Sequence, residues 1–126
     1  MIILAQVILI VVLEWFLQSW LWVALVPLAF GLAAHASPAP TAGRGAAAGG
    51  LSWLGAALFF YFTSGGIIAG RVASMFGLGP GRGWLMVLLT GLLGAFIAGL
   101  AAFAGASLRS EFTRKRGQEA ADSESR

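Results

Sequence analysis

The residues that could do chemistry inside the apolar part of this chain are few, and Glu14 is the only acidic residue among the first hundred. Gln6, Glu14 and Gln18 recur at multiples of four residues, so on an α-helix they form one polar stripe. A membrane-embedded carboxylate of this kind forms an ion pair or interhelical hydrogen bond, contacts a partner subunit, or binds a proton or cation. The sequence leaves these three alternatives open.

Arg71 is the cation that could pair with Glu14, because it too lies in an apolar segment. An Arg–Glu pair would neutralise both charges and leave guanidinium donors for nearby carbonyl groups. The alternative is that Arg71 extends its long side chain to the lipid headgroups. Both arrangements fit its position in the sequence.

No arrangement of residues predicts an enzyme. His35 is the only histidine and lies in a Pro- and Gly-rich segment, there is no cysteine, and every carboxylate other than Glu14 follows residue 110. The glycines at 77–83 do not match a phosphate-binding loop, because no strand precedes them and no Lys-Ser/Thr pair follows. The sequence therefore predicts no catalytic residue, no metal site and no cofactor.

The composition predicts an all-α integral membrane protein. Hydrophobic residues make up 59% of the 126 positions, charged residues only 10%, and the mean hydropathy is +0.87. The net charge of +3 favours contact with membrane lipids over nucleic acid, because the basic residues are few and several lie beside apolar segments.

Three apolar segments predict three transmembrane helices. The first is an N-terminal helix in residues 1–34, which is kinked near Pro27. It spans the membrane over about residues 3–26, and whether residues 27–34 stay in the membrane is open. Residues 35–50, rich in Ala, Gly and Pro, predict a flexible linker. Residues 51–108 predict a helical hairpin that turns at the Gly-Pro-Gly sequence 79–81, with Trp53 and Trp84 at the membrane boundary.

The tail, residues 109–126, is basic at first and then polar, which predicts disorder. Its basic residues next to the membrane are Arg109, Arg114, Lys115 and Arg116. Under the positive-inside rule they place the C-terminus in the cytoplasm and, with three spans, the N-terminus outside. They can also contact anionic lipid.

Small residues recur at helical spacing in both helices of the predicted hairpin. They are Gly66, Gly70 and Ala73 in the first helix and Gly91, Ala95, Ala98, Gly99 and Ala102 in the second. Small side chains allow two helix backbones to approach closely in lipid, so this pattern predicts a tight antiparallel pair. The alternative is that a ligand or ion approaches the bare backbone.

The hairpin resembles the transglycosylase-associated family of small glycine-rich bacterial membrane proteins. The resemblance lies in GIIAG at 66–70, a short glycine-rich loop, and GLLGAFIAG at 91–99, with Ala98 where a glycine is usual. The family usually continues into a further hydrophobic segment, whereas this chain ends in a charged tail. The resemblance implies a bacterial inner-membrane location and a packing role for the glycines, and it implies no catalytic residue.

Together these features predict a small accessory or structural subunit of a larger membrane complex. The stripe that contains Glu14 and the aromatic run at 59–62 would lie at its interface with other subunits. The alternative is a homo-oligomer that forms a pore, a holin-like protein or a small transporter that uses Glu14. A third hypothesis is an anchor for a peripheral protein that binds the basic tail.

Overall fold

The computed structural model describes residues 1–17, 19 and 21–124, and these form α-helices and turns without a strand. The five helices are α1 (Ile2–Leu17), α2 (Trp22–Ala33), α3 (Pro38–Thr63), α4 (Ile67–Met75) and α5 (Gly83–Glu124). A short 3-10 turn, Pro80–Arg82, precedes α5. The all-α prediction is confirmed for the described residues.

The N-terminal segment forms two helices, not the single helix kinked near Pro27 that the sequence predicts. Helix α1 ends at Leu17 and α2 begins at Trp22, while Pro27 lies inside α2 and is buried. Between the helices the Ser19 hydroxyl accepts a hydrogen bond from the Leu21 N–H at 3.4 Å, a local bond that competes with helix continuation. A proline inside a helix removes one backbone donor and its ring crowds the carbonyl group four residues before it. Helix α2 nevertheless continues through Pro27, with Val26 and Gly31 buried in the same helix.

Residues 38–50 are helical, contrary to the prediction of a flexible linker over 35–50. They form the first half of α3, which has Pro38 in its first turn, where a missing N–H costs nothing. The segment is rich in alanine, the strongest helix former. Thr41, Gly45 and Gly49 are buried in it.

Helices α3 and α5 pack antiparallel through small residues. A Cβ atom added at Gly45 would lie 2.5 Å from the Cβ of Ala102, and one added at Gly94 would lie 2.8 Å from the carbonyl oxygen of Gly49. Neither position tolerates a larger residue without separation of the backbones. The small residues of α5 therefore do pack against a helix, but their partner is 42–54 and not the predicted 66–73.

The second predicted span is interrupted between α3 and α4. Gly65 and Gly66 have φ angles of 58° and 74°, in the left-handed region that favours glycine, and the helix ends there. Gly70 then packs against the 3-10 turn, since a Cβ added to it would lie 2.8 Å from the Pro80 carbonyl oxygen. Ala73 is fully buried. These residues shape the α4–α5 turn.

Both ends of the chain lie at one end of the bundle, which we call the tail end. Ile2 of α1 lines the same cavity as residues 33–36, and Leu32 lines a groove with Arg109 and Arg116. Helices α1 and α2 therefore form an antiparallel pair, and α3 runs away from the tail end. This differs from the prediction that the two termini face opposite sides of a membrane.

Two helical segments, Pro38–Thr63 and Pro80–Ser123, are long and apolar enough to cross a membrane. Helices α1 and α2 are apolar but shorter, at 16 and 12 residues. At about 1.5 Å per residue they extend about 24 and 18 Å, less than the roughly 30 Å hydrocarbon core. A small core of Ile10, Val23, Val26, Ala48 and Ala98 joins them to α3 and α5.

The tail continues α5 as a helix as far as Glu124, and residues 110–123 are all exposed. The sequence predicts disorder here, but Glu, Arg, Lys, Gln and Ala in this segment all favour a helix once α5 provides its start. One ion pair within the tail joins Arg114 to Glu111 at 3.1 Å. The basic residues 109–116 therefore extend from the tail end on a helix.

Candidate functional site

Glu14 and Trp53 form the polar contact that joins α1 to α3. The Trp53 indole Nε1–H donates a hydrogen bond to Glu14 Oε1 at 3.1 Å, and both side chains are partly buried. Because a charged acceptor strengthens a hydrogen bond, this contact holds the carboxylate in place when it is ionised. Trp53 lies well inside α3 and not at the start of a helix, where the sequence predicts it.

The carboxylate lies beside an open groove of about 440 Å³. The described residues that line the groove are Glu14, Ser19, Trp53, Ala56, Ala57, Phe60 and Thr90. The Thr90 hydroxyl donates to the Met86 carbonyl oxygen at 2.8 Å, so its proton is already used within α5. Glu14 is the only ionisable group among these lining residues. We call this opening the Glu14 groove.

The Glu14 groove lies deep along the bundle axis. Glu14 follows the start of α1 by 12 residues, and Trp53 follows the start of α3 by 15. These positions are about 18 and 22 Å from the tail end at 1.5 Å per residue. If the bundle axis crosses a membrane, the carboxylate lies within the hydrocarbon region and not among the headgroups.

Arg71 does not form an ion pair with Glu14 in the described part of the chain, where the Glu14 carboxylate instead accepts the Trp53 indole N–H. Arg71 is exposed on α4 and lines a shallow groove with Ser74 and Pro80 beside the α4–α5 turn. This end of the bundle is opposite the tail end. The position agrees with the alternative in which Arg71 extends toward solvent or headgroups.

The predicted polar stripe of α1 faces the interior of the chain at Gln6. Gln6 is 3% exposed and Ile10, on the same face, is fully buried. The Oε1 atom of Gln6 is buried without a hydrogen-bond partner, which is costly in a folded protein. Gln18 lies outside the described residues. The stripe therefore packs against α2 and α3 of its own chain for at least part of its length.

The other predicted site residues fall into two groups. Ala95 and Gly99 face α3, where a Cβ added at Gly50 or Gly99 would lie 3.0 or 3.1 Å from an alanine Cβ. Of the basic tail residues, Arg109 and Arg116 line a groove of about 530 Å³ with Leu32, Phe112 and Thr113. Arg114 and Lys115 are exposed.

Sequence reasoning missed the partner of Glu14. Trp53 follows the Gly-rich segment 43–50 in the sequence, and its indole by itself indicates only a headgroup contact. The available signal was that 38–63 contains alanine and glycine at helical spacing, and that Arg44 is its one long side chain before Leu51. That pattern allows a helix to approach a neighbour closely.

No family model, curated protein or solved structure matches this chain. The chain is therefore described by its own features: an all-α protein with two long apolar helices that could span a membrane and one carboxylate beside a groove between α1, α3 and α5. Among the described residues, no three His, Cys, Asp or Glu side chains form a group that could hold a metal ion.

Proposed function

We propose that this protein is a small accessory subunit of a larger membrane complex, located in the inner membrane of a bacterium. The observation that supports this most directly is the Glu14 groove, where a carboxylate is partly exposed among apolar side chains. An acidic side chain that faces lipid at membrane depth costs about 3 kcal/mol. A helix of a partner subunit that presents a hydrogen-bond donor or a cation would remove this cost.

Exposed phenylalanine side chains near the end of α3 support the same proposal. Phe59, Phe60 and Phe62 are 60%, 61% and 75% exposed. Phe60 lines the Glu14 groove itself. An exposed aromatic side chain beside a partly buried polar contact is typical of a binding interface. The partner helix would therefore cover Glu14 and pack against Phe60.

The proposed membrane arrangement follows from the basic tail. Arg109, Arg114, Lys115 and Arg116 favour a cytoplasmic location for the tail end of the bundle. Because Ile2 and residues 33–36 lie at that same end, the N-terminus would also be cytoplasmic. The likeness to the transglycosylase-associated family, which rests on residues 66–99, agrees with the inner-membrane location and stays a proposal.

Photo-crosslinking in native membranes tests the subunit proposal. A photoreactive phenylalanine analogue at position 60 should form a defined adduct with a different membrane protein. The same analogue at Phe96, which is 65% exposed on α5 and outside the groove, is the matched control and should label mainly lipid. The substitution Glu14→Ala should reduce the adduct at position 60. Equal labelling by the two positions would contradict the proposal.

The second candidate is a homo-oligomeric pore, a holin-like protein or a small transporter, and the size and aromatic walls of the Glu14 groove favour it. An adduct at position 60 with a second copy of this chain would support this candidate over the accessory subunit. Glu14→Gln should then abolish ion or substrate flux in proteoliposomes, while Glu119→Gln in the exposed tail should leave it unchanged. Unchanged flux in both variants would exclude a role for Glu14 in transport.

A further inference from the structure

A second polar cavity lies at the tail end, separate from the Glu14 groove. It has a volume of about 480 Å³. The described residues that line it are Ile2, Gln6, Phe30, Ala33, Ala34, His35, Ala36, Thr41 and Arg44. None of these is acidic, so the cavity contains cationic and neutral polar groups on a mostly apolar wall. We call it the tail-end cavity.

The polar groups of the tail-end cavity differ with depth. Gln6 and Thr41 are 3% and 5% exposed, whereas His35 and Arg44 are exposed at its rim. The Thr41 hydroxyl donates to the Ser37 carbonyl oxygen at 2.9 Å, so the hydroxyl oxygen is left as an acceptor. The buried Oε1 of Gln6 is also an acceptor, and it lacks a partner. The deep part of the cavity therefore offers the Thr41 oxygen as an acceptor, and a donor group that reaches Gln6 would supply the partner that its Oε1 lacks.

The rim favours an anion. The Arg44 guanidinium offers several donors in a geometry that matches a phosphate, and the His35 imidazole offers an N–H in either charge state. Gln6 can present its amide oxygen or its amide nitrogen, because rotation about its last side-chain torsion is only weakly restricted. A hydroxyl group can bond to either amide atom, as donor or acceptor. The two zones together match a phosphate ester that bears hydroxyl groups.

We propose that the tail-end cavity binds a hydroxyl-bearing phosphate ester, supplied by the headgroup of an anionic glycerophospholipid. The phosphate would contact Arg44 and His35, and the headgroup hydroxyls would reach Gln6 and Thr41. Ile2 and Phe30 provide apolar wall next to these polar groups, as the start of an acyl chain requires. The lipid source rests on the proposed membrane location, whereas the phosphate-ester site rests on the cavity alone.

The test is native mass spectrometry of the delipidated full chain in detergent, with phosphatidylglycerol and phosphatidylcholine of identical acyl chains as probes. We expect one phosphatidylglycerol to be retained at least about tenfold more tightly than phosphatidylcholine, which has the phosphate but no headgroup hydroxyl. Arg44→Gln should weaken retention by about tenfold, the effect of losing one charge-assisted hydrogen bond. Arg82→Gln, an exposed arginine at the opposite end, is the matched control. Equal retention of the two lipids, or equal effects of the two substitutions, would overturn the proposal.

A second measurement distinguishes the two sources of the ligand. Soluble glycerol 3-phosphate is added in place of lipid, and binding is measured for the wild-type chain and for Arg44→Gln. Arg44-dependent binding of glycerol 3-phosphate without retention of phosphatidylglycerol would support the site and overturn the lipid source. Binding of neither probe would overturn the site itself. Because these assays use the isolated chain, a failure here is distinct from a failure to find a partner subunit by crosslinking.

Discussion

The close packing of α3 against α5 predicts that one added methyl group at Gly49 destabilises the fold. A Cβ at Gly49 would lie against the Cβ of Ala98 and 2.6 Å from the carbonyl oxygen of Gly94, where ordinary contacts begin at 3.4 Å. The two helices would have to separate by about 1.1 Å to bring both contacts to this distance. The two neighbouring atoms are a Cβ atom and a backbone oxygen, so neither can move away from the added methyl group as the end of a flexible side chain could.

The expected change in the free energy of unfolding combines two effects. Overpacking of a close contact costs about 1 to 3 kcal/mol. Replacing a helical glycine with alanine returns about 0.5 to 1 kcal/mol through the greater helix propensity of alanine. The net prediction for Gly49→Ala is therefore a loss of about 1 kcal/mol, within a range of about 0 to 2.5 kcal/mol.

Gly55→Ala is the matched control, because Gly55 lies in the same helix and a Cβ there would have no neighbour within 4 Å. It should raise the stability by about 0.5 to 1 kcal/mol from helix propensity alone. Both free energies are measured by tryptophan fluorescence during SDS titration of the protein in mixed micelles. If Gly49→Ala and Gly55→Ala shift the transition in the same direction by the same amount, residues 45–49 do not pack against α5 as described.

Two further predictions concern the buried polar groups of α1 and α3. Gln6→Leu should raise the stability by about 1 kcal/mol, because it replaces a buried amide whose oxygen lacks a partner. The control, Gln118→Leu at an exposed position, should change the stability little. If Gln6→Leu destabilises the protein, the amide of Gln6 does have a hydrogen-bond partner. Trp53→Phe should lower the stability by about 1 to 3 kcal/mol through loss of the hydrogen bond to Glu14. The control for Trp53→Phe is Trp84→Phe, at an exposed indole, in the same unfolding assay. If Trp53→Phe lowers the stability less in a protein that already carries Glu14→Ala, the hydrogen bond between Trp53 and Glu14 is the cause of the loss.

The boundaries of the helices were harder to predict than their existence. Hydropathy marks residues 1–34 as apolar but does not indicate where a chain folds back, because lipid and a neighbouring apolar helix favour the same residues. The position of α2 depends on its packing against α5, where a Cβ at Gly31 would meet the backbone carbonyl of Ala102. Pro27, the residue that the sequence marks as a break, lies inside a helix whose neighbours already determine its path.

The segment at 38–50 shows why composition misleads for membrane helices. Glycine, alanine and proline are typical of flexible linkers in water, so the sequence predicts a linker. The same small residues are also what a helix needs where another backbone approaches closely. Only the presence of Gly94, Ala98 and Ala102 opposite Gly45 and Gly49 decides between the two.

The sequence by itself determined three features: the described residues are all-α, Gln6 avoids the exterior, and α5 packs through its small residues. Each feature follows from side-chain type at helical spacing. Tertiary structure alone decided that Glu14 bonds to Trp53 rather than to Arg71, and that both ends of the chain lie at one end of the bundle. The reason is physical: spacing along a helix determines which face a residue occupies. Which neighbour covers that face depends on how the other helices are ordered around it.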